Sequence, residues 1–144
     1  PKQILQKSNT KKPILAKKGK ILVMDDEKYI RTMLCQMFTQ LGYKSESARD
    51  GVEAIALYEE AKKLKQGFDV VIMDLTIVGG MGGKEAIKKL LELDPEAKVI
   101  VSSGYSNDPV MANYKKYGFC GVIPKPYDIE SLYNILSEVI NNSR

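Results

Sequence analysis

The apolar run from Val70 to Met73 is the feature that most restricts the fold of this chain. No polar residue interrupts the run, so a strand formed here has no face left for water and must be covered on both sides, as the strands of parallel sheets are. Asp74 follows directly and therefore stands at the carboxyl end of the strand. Open α/β sheets place their chemistry at such ends. The sequence thus predicts a parallel α/β fold in which Asp74 is a reactive side chain.

Strand-like and helix-like patterns alternate along the rest of the chain. The predicted strands are residues 21–24, 43–48, 70–74, 98–102 and 119–123, and each is followed by apolar residues at helical spacing. Connections long enough to hold a helix favour parallel pairing, right-handed crossovers and helices on both faces of the sheet. The pattern predicts a doubly wound, three-layer α/β domain with five parallel strands and five helices.

Individual residues indicate where several of these helices begin and how they are joined. Aspartates that are typical of helix caps stand before the second, fourth and fifth helices, at Asp50 (paired with Glu53), Asp108 and Asp128. The fourth helix is expected to be short, with Val110, Tyr114 and Tyr117 on one face. The glycine-rich stretch 79–83 lacks the spacing of known phosphate-binding loops and is predicted to be a flexible loop.

Length and composition exclude several classes of protein. The 144 residues suit one domain with a hydrophobic core, and no apolar run approaches the roughly 18 residues that a membrane helix needs. The absence of histidine excludes Ser-His-Asp and Cys-His nucleophiles. Cys35 and Cys120 form no metal-binding pattern and are predicted to be free thiols. A cytoplasmic protein without membrane insertion is expected.

Positive charge is concentrated at the amino end. Residues 1–20 hold seven lysines and no acid, whereas residues 21–144 hold 15 basic and 18 acidic residues. Because the lysines have no interleaved aromatic residues and no helical pattern, they favour a solvated linker over a segment that binds nucleic acid or anionic lipid. The expected division is a basic flexible linker or tail at 1–19 and a folded domain at 20–144.

Polar side chains gather at the carboxyl ends of four predicted strands. They are Asp25 and Asp26, Asp74, Ser102 or Ser103, and Lys125. Each alone is more often a cap, a loop residue or a solvated lysine, so their joint position carries the prediction. Clustered carboxylates need a cation between them, and oxygen ligands alone favour Mg²⁺, with Mn²⁺ as a substitute. A lysine and a hydroxyl would bind the remaining charge of a phosphoryl group, which predicts phosphoryl transfer to Asp74 as the nucleophile.

Four short motifs recur at these strand ends. They are D-D-E at 25–27, Asp74, S-G at 103–104 and K-P at 125–126. With these motifs the chain, from about Lys20 to its end, resembles the receiver domain of two-component response regulators. The resemblance implies the flavodoxin-like strand order 2-1-3-4-5. It also favours Ser103 over Ser102, because the small residue Gly104 follows Ser103 as it usually does in the family.

The resemblance implies a role for each acidic residue. Asp74 would accept a phosphoryl group from the phosphohistidine of a histidine kinase or of a histidine phosphotransfer domain. Asp26, Asp74 and the backbone carbonyl of Thr76 would bind Mg²⁺, and Asp25 would act on the ion through a water molecule. The domain would be a phosphoacceptor with autocatalytic phosphorylation and dephosphorylation rather than an enzyme.

The resemblance also implies roles around the phosphorylated aspartate. Ser103 and Lys125 would bind the phosphoryl oxygens, and the Lys125-Pro126 bond would be cis. Thr76 and Tyr105 stand at positions that tune the access of water to the aspartyl phosphate. Val122 stands at the switch position, where the family usually has an aromatic residue. A phosphorylation-dependent dimer would form through the face of helix 4, strand 5 and helix 5.

The surrounding sequence bears on the biological role. The S-S-G-Y-S and glycine-rich stretches are similar to receivers at the carboxyl end of hybrid sensor histidine kinases, and a free-standing regulator is the second interpretation. A phosphatase of the haloacid dehalogenase type also uses Mg²⁺ and a strand-end aspartate, but it needs D-x-D where this chain has Asp74-Leu75-Thr76. A degenerate receiver that acts only as an interaction module is disfavoured because every acidic position is present.

Overall fold

Parallel strands form one sheet in the computed structural model, which describes residues 19–105 and 107–142. The strands are β1 (Lys20–Met24), β2 (Lys44–Ala48), β3 (Val70–Asp74), β4 (Val99–Ser103) and β5 (Gly121–Pro124). Their order in the sheet is β2-β1-β3-β4-β5, with every neighbouring pair parallel. This order confirms the doubly wound fold and the flavodoxin-like topology.

Helices connect the strands and cover both faces of the sheet. They are α1 (Lys28–Gln40), α2 (Gly51–Lys63), α3 (Gly83–Leu93), α4 (Pro109–Ala112) and α5 (Ile129–Asn141), with a 3₁₀ helix at Tyr114–Tyr117. Among the described residues, no helix combines the length and the hydropathy that crossing a bilayer would require. The basic tail predicted at 1–19 lies, apart from Gly19, outside the described residues.

The central strand β3 is buried along its whole length, as its apolar sequence predicts. It pairs with β1 on one side and with β4 on the other. Met24 lies opposite Met73, so the next residues along the two strands, Asp25 and Asp74, are brought side by side. Asp74 itself lies opposite Ser102 on β4. The register of three strands therefore determines which polar residues meet at the carboxyl edge.

Alternate residues of the strands enter two separate cores. On one face, strand residues such as Leu22, Val71 and Val101 pack with α2, α3 and α4. On the other face, strand residues such as Val23 and Ile72 pack with α1 and α5. Both faces of the sheet are therefore covered by apolar packing, and the carboxyl edge is where polar side chains can gather.

The predicted caps form the expected hydrogen bonds. Asp50 Oδ1 accepts a hydrogen bond from Glu53 N (3.0 Å), and Glu53 Oε1 accepts one from Arg49 N (2.7 Å). Asp108 and Asp128 also accept hydrogen bonds from backbone N–H groups in the first turns of α4 and α5. These side chains satisfy donors that a helix start leaves unpaired, which explains where the helices begin.

The segment predicted as a single fourth helix divides into two, so that prediction was wrong. Asn113 leaves the helical conformation (φ −117°, ψ 37°), and its side-chain Nδ2 donates to Pro109 O (3.0 Å). The chain continues as the 3₁₀ helix rather than as α4. As a result Val110 is buried, whereas Tyr114 and Tyr117 are only partly buried.

The boundaries of β4 and β5 also differ from the prediction, and β1 and β2 each begin one residue away from their predicted starts. β4 reaches Ser103 instead of ending at Ser102, because Ser103 pairs with Pro124 on β5. β5 begins at Gly121 rather than at Phe119, because Phe119 N donates back to Tyr114 O (3.1 Å) instead of to β4. Both strands therefore end one residue later than predicted, directly before residues that line the carboxyl edge.

The second half of the glycine stretch 79–83 packs closely against the end of β3. A Cβ atom on Gly82 would lie 2.5 Å from Leu75 O, and one on Gly83 would lie 3.0 Å from Asp74 O. Gly83 N also donates to Leu75 O (3.2 Å). The loop predicted to be flexible is thus packed here against the backbone that carries Asp74, and residues without a side chain are required for that approach.

We expect the substitution Gly82→Ala to lower the free energy of unfolding by about 1 to 3 kcal/mol, because the new methyl group would push the loop off β3. Urea denaturation followed by circular dichroism measures this change. Gly67→Ala is the matched control, since no atom lies within 4 Å of its Cβ position. That control should stay within about 1 kcal/mol of the wild type. Equal stability of the wild type and Gly82→Ala would contradict the close packing.

Candidate functional site

An open cleft of about 530 Å³ lies at the carboxyl edge of the sheet. It is lined by residues at or after the ends of four strands, namely Asp26, Glu27, Asp74, Thr76, Val78, Ser103, Gly104, Tyr105 and Lys125. Asp25 is buried beside Lys125. The structure therefore brings together the predicted phosphoacceptor, metal-binding and tuning residues, which lie far apart in the sequence.

Three carboxylates face one another in this cleft. One side-chain oxygen from each of Asp25, Asp26 and Asp74 lies within 4.8 Å of the other two. Asp25 and Asp74 are buried, with 1% and 6% of their surface exposed, whereas Asp26 is exposed. Oxygen ligands at this spacing can contact a single hard cation.

Hydrogen bonds to both the backbone and the side chain of Asp25 hold the turn that carries the first two carboxylates. Asp25 N donates to Ala48 O on the neighbouring strand (3.1 Å). Glu27 N donates to Asp25 Oδ1 (2.9 Å), and Arg31 Nη1 reaches back from α1 to donate to Asp25 O (2.9 Å). The turn between β1 and α1 is therefore tied at three points, which keeps Asp25 inside the protein and leaves Asp26 at the surface of the cleft.

Lys125 lies between the two buried carboxylates. Its Nζ atom is 2.9 Å from Asp25 Oδ2 and 3.5 Å from Asp74 Oδ1. Burial by itself lowers the pKa of Lys125, but the close ion pair with Asp25 and the charge of Asp74 outweigh burial, and the pKa is raised. The ammonium group therefore stays charged at neutral pH and offsets part of the repulsion between the carboxylates.

The surroundings of Asp74 raise its pKa. Burial is the largest cause that raises the pKa of Asp74 to about 6, and the negative charge of Asp25 raises it further. Lys125 acts in the opposite direction and limits the rise. At neutral pH the side chain is ionised by a small margin, in a site where additional positive charge would stabilise the ionised form.

The cluster fits a divalent cation. Asp25 Oδ2 is buried and accepts no hydrogen bond of acceptable geometry, although Lys125 Nζ lies 2.9 Å away as its ion-pair partner. Buried carboxylate oxygens normally have donors or a cation for their remaining lone pairs. The ligands here are oxygen atoms alone, with neither histidine nor cysteine among the residues that line the cleft. Such a donor set suits Mg²⁺.

The structure separates the two serines at the end of β4. Ser103 lines the cleft, and its Oγ atom accepts a hydrogen bond from Tyr105 N (3.0 Å). Ser102 is fully buried, and its hydroxyl group forms a hydrogen bond with the hydroxyl group of Tyr127. Successive residues of a strand point to opposite faces, and on the face of Ser102 its hydroxyl group is bonded to Tyr127 instead of lining the cleft. Ser103 is the serine available there.

The predicted tuning and switch positions differ in their access to the cleft. Thr76 and Tyr105 both line the cleft, and Tyr105 is 67% exposed. Val78 lies beside them and is 86% exposed. Val122 is on β5, is partly buried and packs against the core formed with α2, α3 and α4. The tuning positions can therefore touch a phosphoryl group directly, whereas Val122 does not line the cleft.

Two residues that support the site were not predicted from the sequence. Arg31 donates to Asp25 O, and Tyr127 bonds with Ser102. Arg31 lies four residues after Glu27, a helical spacing that turns a side chain back toward the start of α1 and could have been used as a signal. Tyr127 is 25 residues from its partner, so no local pattern connects the two.

The chain was compared with known protein families and structures. The family model for the response regulator receiver domain matches residues 21–137. Chemotaxis protein CheY of Thermotoga maritima is 33% identical over 121 residues, covering 83% of this chain and 96% of that protein. Sensor kinase CckA of Brucella abortus is 27% identical over 152 residues, covering 97% of this chain and 16% of the kinase.

The fold comparison agrees with the sequence comparison. The structure of the CheX–CheY–BeF₃–Mg²⁺ complex from Borrelia burgdorferi is similar to this chain with a TM-score of 0.78 and 26% identity, covering 86% of this chain and 90% of that one. The family match includes every residue that lines the cleft and all five strands except Lys20, the first residue of β1. The chain therefore belongs to the receiver domains of two-component response regulators, the phosphoacceptor domains of these signalling systems.

Proposed function

We propose that Asp74 accepts a phosphoryl group from the phosphohistidine of a histidine kinase or a histidine phosphotransfer domain. The observation that carries the proposal is the set of charges around Asp74. The ammonium of Lys125 lies 3.5 Å from Asp74 Oδ1, and carboxylate oxygens of Asp25 and Asp26 lie within 4.8 Å of an Asp74 oxygen. A nucleophilic carboxylate, a fixed cation and ligands for a second cation are the groups that phosphoryl transfer requires.

In the transfer, a carboxylate oxygen of Asp74 forms a bond to phosphorus while the bond between phosphorus and the donor's imidazole nitrogen breaks. The bonding electron pair stays on that nitrogen, which takes up a proton from solvent. The ionised carboxylate is a far stronger nucleophile than the neutral acid, and the pKa of about 6 leaves Asp74 ionised at neutral pH. Attack of water on the resulting aspartyl phosphate returns Asp74 and releases phosphate, so both steps occur within the domain.

The acidic residues would hold the divalent ion. Asp26, Asp74 and the carbonyl of Thr76 would bind Mg²⁺, Asp25 would act through a water molecule, and Mn²⁺ would substitute. When bound, the ion would neutralise negative charge on the carboxylates and on the phosphoryl oxygens. The proposal rests on the three converging carboxylate oxygens and on the buried Asp25 Oδ2 that accepts no hydrogen bond.

Other residues of the cleft would act on the phosphoryl group after transfer. Ser103 and Lys125 would bind its oxygens, and Thr76 and Tyr105 would limit the access of water, because both line the cleft. Val122 packs against the core beside α4 and would transmit a weaker signal than an aromatic side chain, since it is smaller. A dimer formed on phosphorylation would use the face of α4, β5 and α5.

The biological setting is also part of the proposal. Residues 20–144 would act as the receiver unit of a hybrid sensor histidine kinase, with 1–19 as a basic linker. The similarity to sensor kinase CckA over 97% of this chain supports that setting. Cys35 and Cys120 form no disulfide with each other, which suits the reducing cytoplasm, where the phosphohistidine partner would be met. No observation favours a haloacid dehalogenase-type phosphatase or an interaction-only module.

Incubation with Mg²⁺ and acetyl phosphate should add one hydroxylamine-labile phosphate to the wild type and none to Asp74→Asn. The amide retains the shape of the side chain but lacks its nucleophilic oxygen. Intact-protein mass spectrometry measures the label. Asp69→Asn, directly before the same strand, is the matched control and should label like the wild type. Labelling of Asp74→Asn at the wild-type level would refute the assignment, and steady hydrolysis of many phosphate esters would favour a phosphatase.

Stability without metal should depend on pH through Asp74. The pKa of Asp74 is about 6 in the folded chain, compared with an ordinary value of 3.8. The folded state therefore binds this proton more tightly than the unfolded state does, and it loses stability as the pH rises from about 4 to about 6. Asp74→Asn lacks this penalty. We expect its free energy of unfolding in EDTA to exceed the wild-type value by about 1 to 3 kcal/mol at pH 7.5. Urea titrations should show the difference shrinking toward pH 4.5, and a difference that grows toward acid would contradict the assignment.

Mg²⁺ should bind to the wild type and at least about tenfold more weakly to Asp26→Asn, because one charged oxygen ligand is lost. Isothermal titration calorimetry measures both affinities. Asp108→Asn is the control, since Asp108 caps α4 outside the lining of the cleft and asparagine caps equally well. Equal Mg²⁺ affinity of Asp26→Asn and the wild type would remove Asp26 from the metal site.

A further inference from the structure

A buried hydrogen bond between two hydroxyl groups lies next to the cleft. Ser102 is fully buried and Tyr127 is 8% exposed, and their hydroxyl groups are bonded to each other. Neither hydroxyl remains without a partner among the described residues. Burial raises the pKa of Tyr127 to about 12, so its hydroxyl group stays neutral and keeps its proton at neutral pH. The proposed transfer to Asp74 does not use this bond directly.

Ser102 is joined to the strand that carries the phosphoacceptor. It lies opposite Asp74 in the pairing of β3 with β4. Its carbonyl oxygen accepts a hydrogen bond from Leu75 N (2.8 Å), the residue directly after Asp74. The position of the Ser102 side chain is therefore tied to the backbone of Asp74.

Tyr127 is joined to the segment that carries the lysine. It lies two residues after Lys125, and its ring is buried in the core that packs against α1 and α5. On the amino-terminal side of the segment, the backbone N of Lys125 itself donates a hydrogen bond to Ser103 O (3.0 Å). Two consecutive residues of β4 thus hold the lysine segment on both sides, Ser103 through the backbone and Ser102 through the Tyr127 hydroxyl.

We propose that Tyr127 is a positioning residue. Its hydrogen bond with Ser102 holds the backbone of Lys125 where the Nζ atom reaches Asp74, and the position of this atom sets the rate of phosphoryl transfer. This inference rests on the proposed function. A lysine side chain has several rotatable bonds, and the Nζ atom of Lys125 lies 2.9 Å from Asp25 Oδ2 and 3.5 Å from Asp74 Oδ1. A small shift of the backbone would break the longer contact first, and misplacement by about 1 Å can slow a reaction by up to about a hundredfold.

The first test is Tyr127→Phe, which retains the buried ring and removes only the hydroxyl group. With acetyl phosphate and saturating Mg²⁺, we expect phosphorylation of Asp74 to slow by about threefold to tenfold. Mg²⁺ affinity should stay unchanged, because within residues 19–105 and 107–142 the hydroxyl group of Tyr127 is bonded to Ser102 and to none of the proposed metal ligands. Ser102→Ala should slow the reaction to the same extent, and the double variant Ser102→Ala/Tyr127→Phe should be no slower than either single variant.

A second test separates positioning of Lys125 from a general loss of stability. In a Lys125→Ala background, which already labels slowly, adding Tyr127→Phe should change the labelling rate by less than about twofold, because the lysine that it positions is absent. Tyr58→Phe is the matched control. It removes another buried tyrosine hydroxyl, bonded to Asp94 Oδ2 (2.7 Å) away from the cleft, and should lower stability without changing the labelling rate.

The outcomes are distinct. A wild-type labelling rate in Tyr127→Phe, or equal slowing with and without Lys125, would overturn the positioning role and leave the phosphoacceptor role intact. A wild type that takes no phosphate at all would instead overturn the proposed function. Urea denaturation shows whether each variant is folded, and Ser102→Ala, the smaller change, decides the result if Tyr127→Phe is unfolded.

Discussion

Two buried carboxylates that share one lysine are the interaction on which the rest of the structure depends. Asp25 and Asp74 are 1% and 6% exposed and both contact Lys125 Nζ. At an effective dielectric constant of about 20, like charges about 4 Å apart repel by about 4 kcal/mol. This is a large part of the roughly 5–15 kcal/mol that stabilises a domain. One ammonium offsets only part of the repulsion, so the site depends on a strong scaffold when no further cation is bound.

The central sheet supplies that scaffold. Val70–Asp74 is buried on both faces and is paired on both edges, so its carboxyl end has little freedom to move. The register with β1 brings Asp25 beside Asp74, and Gly82 and Gly83 close the loop against the same backbone. The carboxylates repel one another, so they do not hold the site together themselves. The apolar packing of the sheet keeps them in place.

The end of β4 connects this scaffold to the lysine. Ser103 lines the cleft, whereas Ser102 points from the other face of the strand and bonds with Tyr127 in the core formed with α1 and α5. Each makes a separate link to the segment around Lys125, one through its carbonyl and one through its hydroxyl group. The serine that the chemistry does not use therefore still affects where the lysine lies, while Val122 on β5 packs against the side of the domain that contains α4.

The sequence by itself determined the strands, the order of elements and the residues at the strand ends, because an uninterrupted apolar run such as 70–73 and a cap such as Asp50 act locally. It failed at the fourth helix and at the start of β5, where Asn113 and Phe119 make hydrogen bonds that the apolar spacing does not encode. Gly104 already favoured Ser103 as the serine of the cleft. Only the tertiary structure decided that Ser102 bonds with Tyr127 and that Tyr127 supports Lys125. These depend on strand register and on contacts between distant residues, which place side chains in three dimensions and leave no periodic signal in the chain.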